Sequence, residues 1–143
     1  MSGIATAQAG FTPEPQDVAE VMAWFAHYDE LVAAKNLEEM ADCAVFPVNE
    51  VTDDADGNGL VSATDRGQFI DQMTAVVGAP GEVQMQSERH PVFINRSLCF
   101  VVTDATFTAG DQITHMRYGD LLVRTPSGWK FQTMVAGGWH AHV

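Results

Sequence analysis

The chain reads as an α+β domain: helices come first, and a curved antiparallel sheet then wraps over them as a cone-shaped barrel. Three observations predict this. Apolar residues recur at intervals of three and four early in the chain. Four strand-like runs fill roughly the last sixty residues, and turn signals separate those runs at Asn95-Arg96-Ser97, Ala109-Gly110-Asp111 and Thr125-Pro126-Ser127-Gly128. Such an arrangement commonly holds a pocket inside the cone, which narrows function to binding or transforming something small.

The first helix is predicted over residues 16–34, where Val18, Val21, Met22, Phe25, Tyr28, Leu31 and Val32 form one apolar stripe. Pro15 suits its first turn, where a missing N–H costs nothing. A short second helix over Leu37 to Cys43 follows from Asn36 as N-cap with Glu39 three residues on, and Pro47 prevents its extension. Val48 to Asp53 and Leu60 to Ala63 read as two short strands joined by a Gly- and Asn-bearing turn. A third helix starts at Thr64 or Asp65, with Gln68 completing the cap and Phe69, Ile70, Met73, Val76 and Val77 as its buried stripe, and stops at Gly78, Pro80 and Gly81. The sheet begins near Glu82, with an irregularity expected at His90-Pro91 because proline donates nothing to a ladder. Leu98 to Thr108, Gln112 to Arg124 and Trp129 to His140 continue it.

At 143 residues the chain suits one domain, with residues 1–12 as a flexible N-terminus and 13–143 as the folded unit. Charge is uneven. Residues 1–71 hold 14 acids against Lys35 and Arg66, whereas residues 72–143 balance 5 acids with 5 bases. That sign repels nucleic-acid phosphates and anionic membrane surfaces, and no basic cluster reverses it locally. Without a basic flank or a continuous apolar run, a soluble cytoplasmic protein is expected. Cys43 and Cys99, both in apolar settings, read as free thiols.

Two motifs invite a metal. Asp54, Asp56, Asn58, Ser62 and Asp65 fall at ligand positions 1, 3, 5, 9 and 12 of an EF-hand calcium loop, with Gly59 at its turn position 6. A proline-broken, strand-like segment stands where the entering helix belongs, so an acidic hairpin turn is the preferred reading. His140 and His142 share a strand face at a spacing metals use, but they lie near the chain end with no acidic or thiol neighbour. No cofactor is expected and no metal is favoured, with calcium binding at the 54–65 loop standing as the second alternative.

The order helix, short helix, strand pair, helix and four long strands resembles the nuclear transport factor 2-like superfamily, which includes SnoaL-like polyketide cyclases and ketosteroid isomerases and shares the cystatin-like fold. The segments carrying the resemblance are YDELVAAKNLEEM from Tyr28, DRGQFIDQM from Asp65 and RYGDLLVRTPSGWKF from Arg117. The resemblance implies a conical pocket between the sheet and the first helix, a small-molecule ligand, and a homodimer formed through the outer sheet face. Both faces of the third long strand are substantially apolar, which fits a partner on one side and helices on the other.

Ketosteroid isomerases resemble this chain at three positions. Tyr28 matches their helix tyrosine, and Asp120 matches their late-strand acid. Thr52 falls opposite their carboxylate base, with Asp53 one residue away. The resemblance therefore implies Tyr28, Asp120 and Asp53 as catalytic candidates for isomerisation, cyclisation or hydration of an apolar, oxygen-bearing ligand. Trp24, Phe25, Met116, Tyr118 and Leu122 are the candidate pocket walls. Enolising a carbonyl compound needs a carboxylate to take the proton and donors that strengthen as charge grows on oxygen. A carboxylic acid donates only if burial raises its pKa, and Asp120 sits among Tyr118, Leu121 and Leu122. The alternatives are plain: Tyr28 as a core aromatic, Asp120 as a hydrogen-bonded strand residue, and the whole domain as a non-enzymatic dimeric scaffold.

Overall fold

A computed structural model describes residues 11–77 and 84–138. Helix α1 spans Pro15–Ala33, α2 Leu37–Asp42 and α3 Arg66–Val77; strands are β1 Ala44–Asp53, β2 Gly59–Thr64, β3 Gln84–Asn95, β4 Leu98–Ala109, β5 Gln112–Thr125 and β6 Gly128–Ala136. The sequence places every one of these elements. The expected terminations at Gly78, Pro80 and Gly81, the strand start near Glu82, most of the flexible N-terminus, and His140 and His142 lie outside the described residues.

Caps fix the helix starts. The Asn36 side chain accepts the Glu39 amide at 3.3 Å. At α3 the choice falls on Asp65, which accepts the Gln68 amide at 2.8 Å while Gln68 accepts the Asp65 amide at 2.9 Å, a reciprocal capping box. The apolar stripe of α1 buries Val21, Phe25 and Leu31 against the sheet.

The six strands run in the order β2-β1-β6-β5-β4-β3. This corrects two expectations. The sheet is open, with β2 and β3 as its edges, so it curves over the helices without closing into a barrel. It is also mixed, because β6 inserts beside β1 in parallel while every other pair is antiparallel. The β1 strand starts earlier than the sequence implies, running through a cis Phe46–Pro47 bond where the β1–β6 register breaks. No irregularity occurs at Pro91: its ladder to β4 is continuous, because β3 is an edge strand and the missing N–H faces away from its partner. The break falls between Phe93 and Asn95 instead.

The core lies between the helices and one sheet face, where Cys99, Val101, Leu122 and Phe131 meet Val21, Phe25, Met40 and Phe69. A register shift between Leu121 and Leu122 leaves Gln132 outside the ladder, which turns Phe131 and Met134, three residues apart, toward the same side. Cys43 and Cys99 are buried free thiols. No described helix packs on the opposite face, which carries Val92, Phe100, Val102 and Leu121.

The Asp54 to Asp65 segment is a hairpin turn. Asp54 spends its carboxylate on the amides of Asp56 and Asn58, both at 2.9 Å, and Gly57 adopts φ 86°. From Gly59 onward the would-be calcium loop is strand β2, paired to β1 as far as Thr64 opposite Val48. Asp65 is thereby carried roughly 20 Å from Asp54, at about 3.3 Å per strand residue. Ligands so spread cannot converge on one ion.

Candidate functional site

The sheet presents its inner residues in rows. One row runs Arg89, Thr103, Tyr118, Ala136, and the next Pro91, Val101, Asp120, Met134. Above them α1 lays Phe25, Tyr28 and Asp29, and α2 and α3 add Met40 and Met73. A cavity of about 250 Å³ opens between these layers. A second void of about 30 Å³, room for about one water, lies deeper, bounded by Trp24, Phe25, Tyr28, Asp120, Phe131 and Met134.

Tyr28 and Asp120, distant in sequence, border both spaces. Trp24 holds the Tyr28 ring, stacked on it at 5.5 Å between centroids and 8° between planes, while Phe131 meets it edge-on at 5.6 Å. Asp120 is 8% exposed. Among the described residues neither the Tyr28 hydroxyl nor the Asp120 carboxyl has a hydrogen-bond partner within the protein. Both border the two spaces without a hydrogen bond to the surrounding described residues.

The electrostatics separate their roles. Burial pushes the Asp120 carboxyl up to about 7, with the Arg89 guanidinium pulling the other way. Burial, reinforced by the Asp120 charge, pushes the Tyr28 hydroxyl well above the ordinary tyrosine range. Tyr28 thus stays a donor at neutral pH, while Asp120 stands near half-ionisation. Tyr118 is raised too, by burial, with Arg89 opposing.

Of the candidate wall residues, Phe25, Met116 and Tyr118 line the larger cavity. Trp24 borders only the smaller void and acts as the brace for Tyr28. Leu122 does not reach the cavity: it sits fully buried one row further in, between Cys99 and Phe131, where side chains fill the space. Asp53 also stands outside the cavity lining. It falls on the face of β1 opposite Thr52, and its carboxylate accepts the Gly138 amide at 2.7 Å beyond the end of β6.

The sequence reading missed Arg89 and Asp29. Arg89, 8% exposed, meets Asp29 at 2.9 and 3.3 Å and lies 4.4 Å above the Phe25 ring. Burial, which would lower its pKa, is outweighed by the Asp29 carboxylate. Its Nε and the neighbouring Thr103 hydroxyl are buried without a hydrogen-bond partner among the described residues. The available signal was parity: Arg89 shares the strand face of Met85 and Phe93, a cation where an apolar residue belongs.

No protein-family profile matches the chain, and no curated protein matches its sequence. Solved structures do match. Aln2 from a Streptomyces species aligns with a TM-score of 0.70 at 14% identity, over 92% of this chain and 97% of that one. A protein provisionally named as a dehydratase of the nuclear transport factor 2-like family, from Streptomyces avermitilis, gives 0.67 at 16% identity over 85% and 95%. One provisionally named as a scytalone dehydratase, from Novosphingobium aromaticivorans, gives 0.63 at 15% identity over 94% and 86%. Others are described by their cystatin-like fold alone. The chain therefore has the cystatin-like fold of nuclear transport factor 2-like proteins. Among the described residues, no helix is long and apolar enough to cross a membrane.

Proposed function

We propose that this protein is a cofactor-independent enzyme that moves a proton on a small, apolar, oxygen-bearing molecule, with isomerisation, cyclisation or dehydration as the outcome. The observation that carries this reading is the Tyr28–Asp120 pair: a hydroxyl held protonated and a carboxyl near 7, facing one apolar cavity without protein partners among the described residues. Two structural neighbours with a dehydratase name favour the same class of chemistry.

Ionised Asp120 takes a proton from the carbon beside a ligand carbonyl, and the electron pair of that C–H bond passes to the carbonyl oxygen as an enolate. Tyr28 donates to that oxygen, and its hydrogen bond strengthens as charge develops. Asp120, now a carboxylic acid, returns the proton to the far carbon of a conjugated dienolate, which isomerises the ligand; to a β-hydroxyl whose C–O bond breaks as the enolate pair forms a C=C bond, which releases water; or to the alkoxide left when the enolate carbon attacks a second carbonyl, which closes a ring. A group titrating near neutral pH does both halves efficiently. The base role thus belongs to Asp120 and not to Asp53.

The outer face of the sheet, away from the helices, is the proposed seat of a second copy. Val92 stays 54% exposed there, beside Phe100, Val102 and Leu121, and the adjoining ion pair of Arg117 with Asp104 offers both signs of charge to a self-complementary partner.

The deciding experiment incubates the protein with enolisable ketones in deuterated water and follows loss of the carbonyl-adjacent protons by NMR. Exchange by the wild type that disappears in Asp120→Asn supports the assignment. Absence of exchange across a panel of ketones that do bind would overturn it.

A further inference from the structure

Five of the chain's seven methionines line the larger cavity: Met40 from α2, Met73 from α3, Met85 from β3, Met116 from β5 and Met134 from β6. They come from five separate elements and converge on one space. All five border one cavity that no side chain fills, although Met40 is itself fully buried in the core. They surround its apolar part, while Tyr28, Asp29, Arg89, Tyr118 and Asp120 supply its polar groups.

We infer that this thioether ring makes the site select an unsaturated, planar ring over a saturated ring of the same size. The inference rests on the ligand-cavity reading above and names the class of ligand it takes. Sulfur is polarisable and makes favourable contacts with aromatic rings, each worth about two- to tenfold in affinity, that an aliphatic ring does not receive. Transfer from water alone runs the other way, because the saturated ring is the more hydrophobic of two equal-sized partners. A preference for the planar ring therefore requires specific contacts. Methionine's unbranched side chain also lets the ring fit variously shaped substituents around the fixed oxygen anchor at Tyr28.

The test compares benzylacetone with its ring-saturated counterpart, two ketones of matched heavy-atom count, by calorimetric titration. Wild type is expected to bind benzylacetone about tenfold more tightly, equivalent to two or three sulfur contacts. Met116→Leu/Met134→Leu keeps volume and hydrophobicity while removing two sulfurs, so it should cut that preference to about twofold or less. Met85→Leu, at the 38% exposed rim, tolerates change without unfolding and should lower the preference by a smaller factor. Equal binding of the two ketones by wild type overturns the inference and leaves the cavity reading standing. So does a wild-type preference that the leucine variants retain, which assigns it to Phe25 and Tyr28. Failure of both ketones to bind overturns the inference and the cavity reading together.

Discussion

Arg89 reaches from β3 to grip both carboxylate oxygens of Asp29 on α1, at 2.9 and 3.3 Å, tying the sheet's edge strand to the helix that roofs the cavity. The same guanidinium is the positive charge that restrains Asp120. Arg89→Met should therefore raise the Asp120 pKa above its present value of about 7 and move the acidic limb of the pH–rate profile for ketone exchange to higher pH. Because Asp29 is 41% exposed and rehydrates readily, the stability loss should stay near ~1 kcal/mol. A profile that does not move would separate Arg89 from the proton chemistry.

Asp120 also links folding to pH. Its pKa is about 7 in the folded chain against 3.8 for an ordinary aspartate, so between those values the native state holds a proton that the unfolded chain has lost. Its contribution to stability is complete below the lower value and is lost as pH rises through the upper one. Asp120→Asn keeps the shape and removes the titration. The variant should melt above wild type at about pH 8, and the gap should narrow toward about pH 5. Thermal melts across that range check this; parallel curves would show that Asp120 does not titrate there.

Tyr28→Phe removes the hydroxyl and leaves the ring stacked on Trp24. Folding should change by less than ~1 kcal/mol, while ketone affinity should fall about 5- to 30-fold, the worth of one hydrogen bond inside a buried pocket. Calorimetry on both proteins reads the difference.

Gly119 separates Tyr118 from Asp120, and a Cβ built there would stand 2.5 Å from the Phe100 ring on the outer face. Gly119→Ala should cost ~1–3 kcal/mol through overpacking. Adding Phe100→Ala should restore part of that loss, and a double-mutant cycle by denaturant unfolding measures the coupling.

Outer-face pairing predicts a dimer in sedimentation. Val92→Glu, on an exposed edge-strand position, should leave the melting curve of the monomer intact and weaken association. A wild type that sediments as a monomer would remove the pairing.

What the sequence disclosed depended on the range of the forces involved. Asn36, Asp65 with Gln68, and the turns at Gly110 and Gly128 act within a few residues, so helix starts and hairpins could be read directly. The meeting of Tyr28 with Asp120 came from a fold resemblance, since no local pattern brings them together. Arg89 was missed because strand parity alone does not distinguish a cation snorkelling at an edge from one locked beneath a helix. The insertion of β6 between β1 and β5 was invisible too, because parallel pairing across some eighty residues leaves no local trace. Alternation explains why Asp53 stands outside the cavity lining: one residue's displacement along β1 turns a carboxylate from one face to the other.

Strand β6, the last of the described strands, lies inside the sheet between β1 and β5 and supplies Met134 and Ala136 to the cavity wall. A nascent chain lacking it leaves the β2-β1 hairpin and the β3-β4-β5 meander without a shared ladder, each with an exposed edge. Assembly during translation must wait for that segment to leave the ribosome, and until then the two edges offer themselves to intermolecular strand addition. Chaperone demand should accordingly persist until β6 is made, because the cavity wall is incomplete without it.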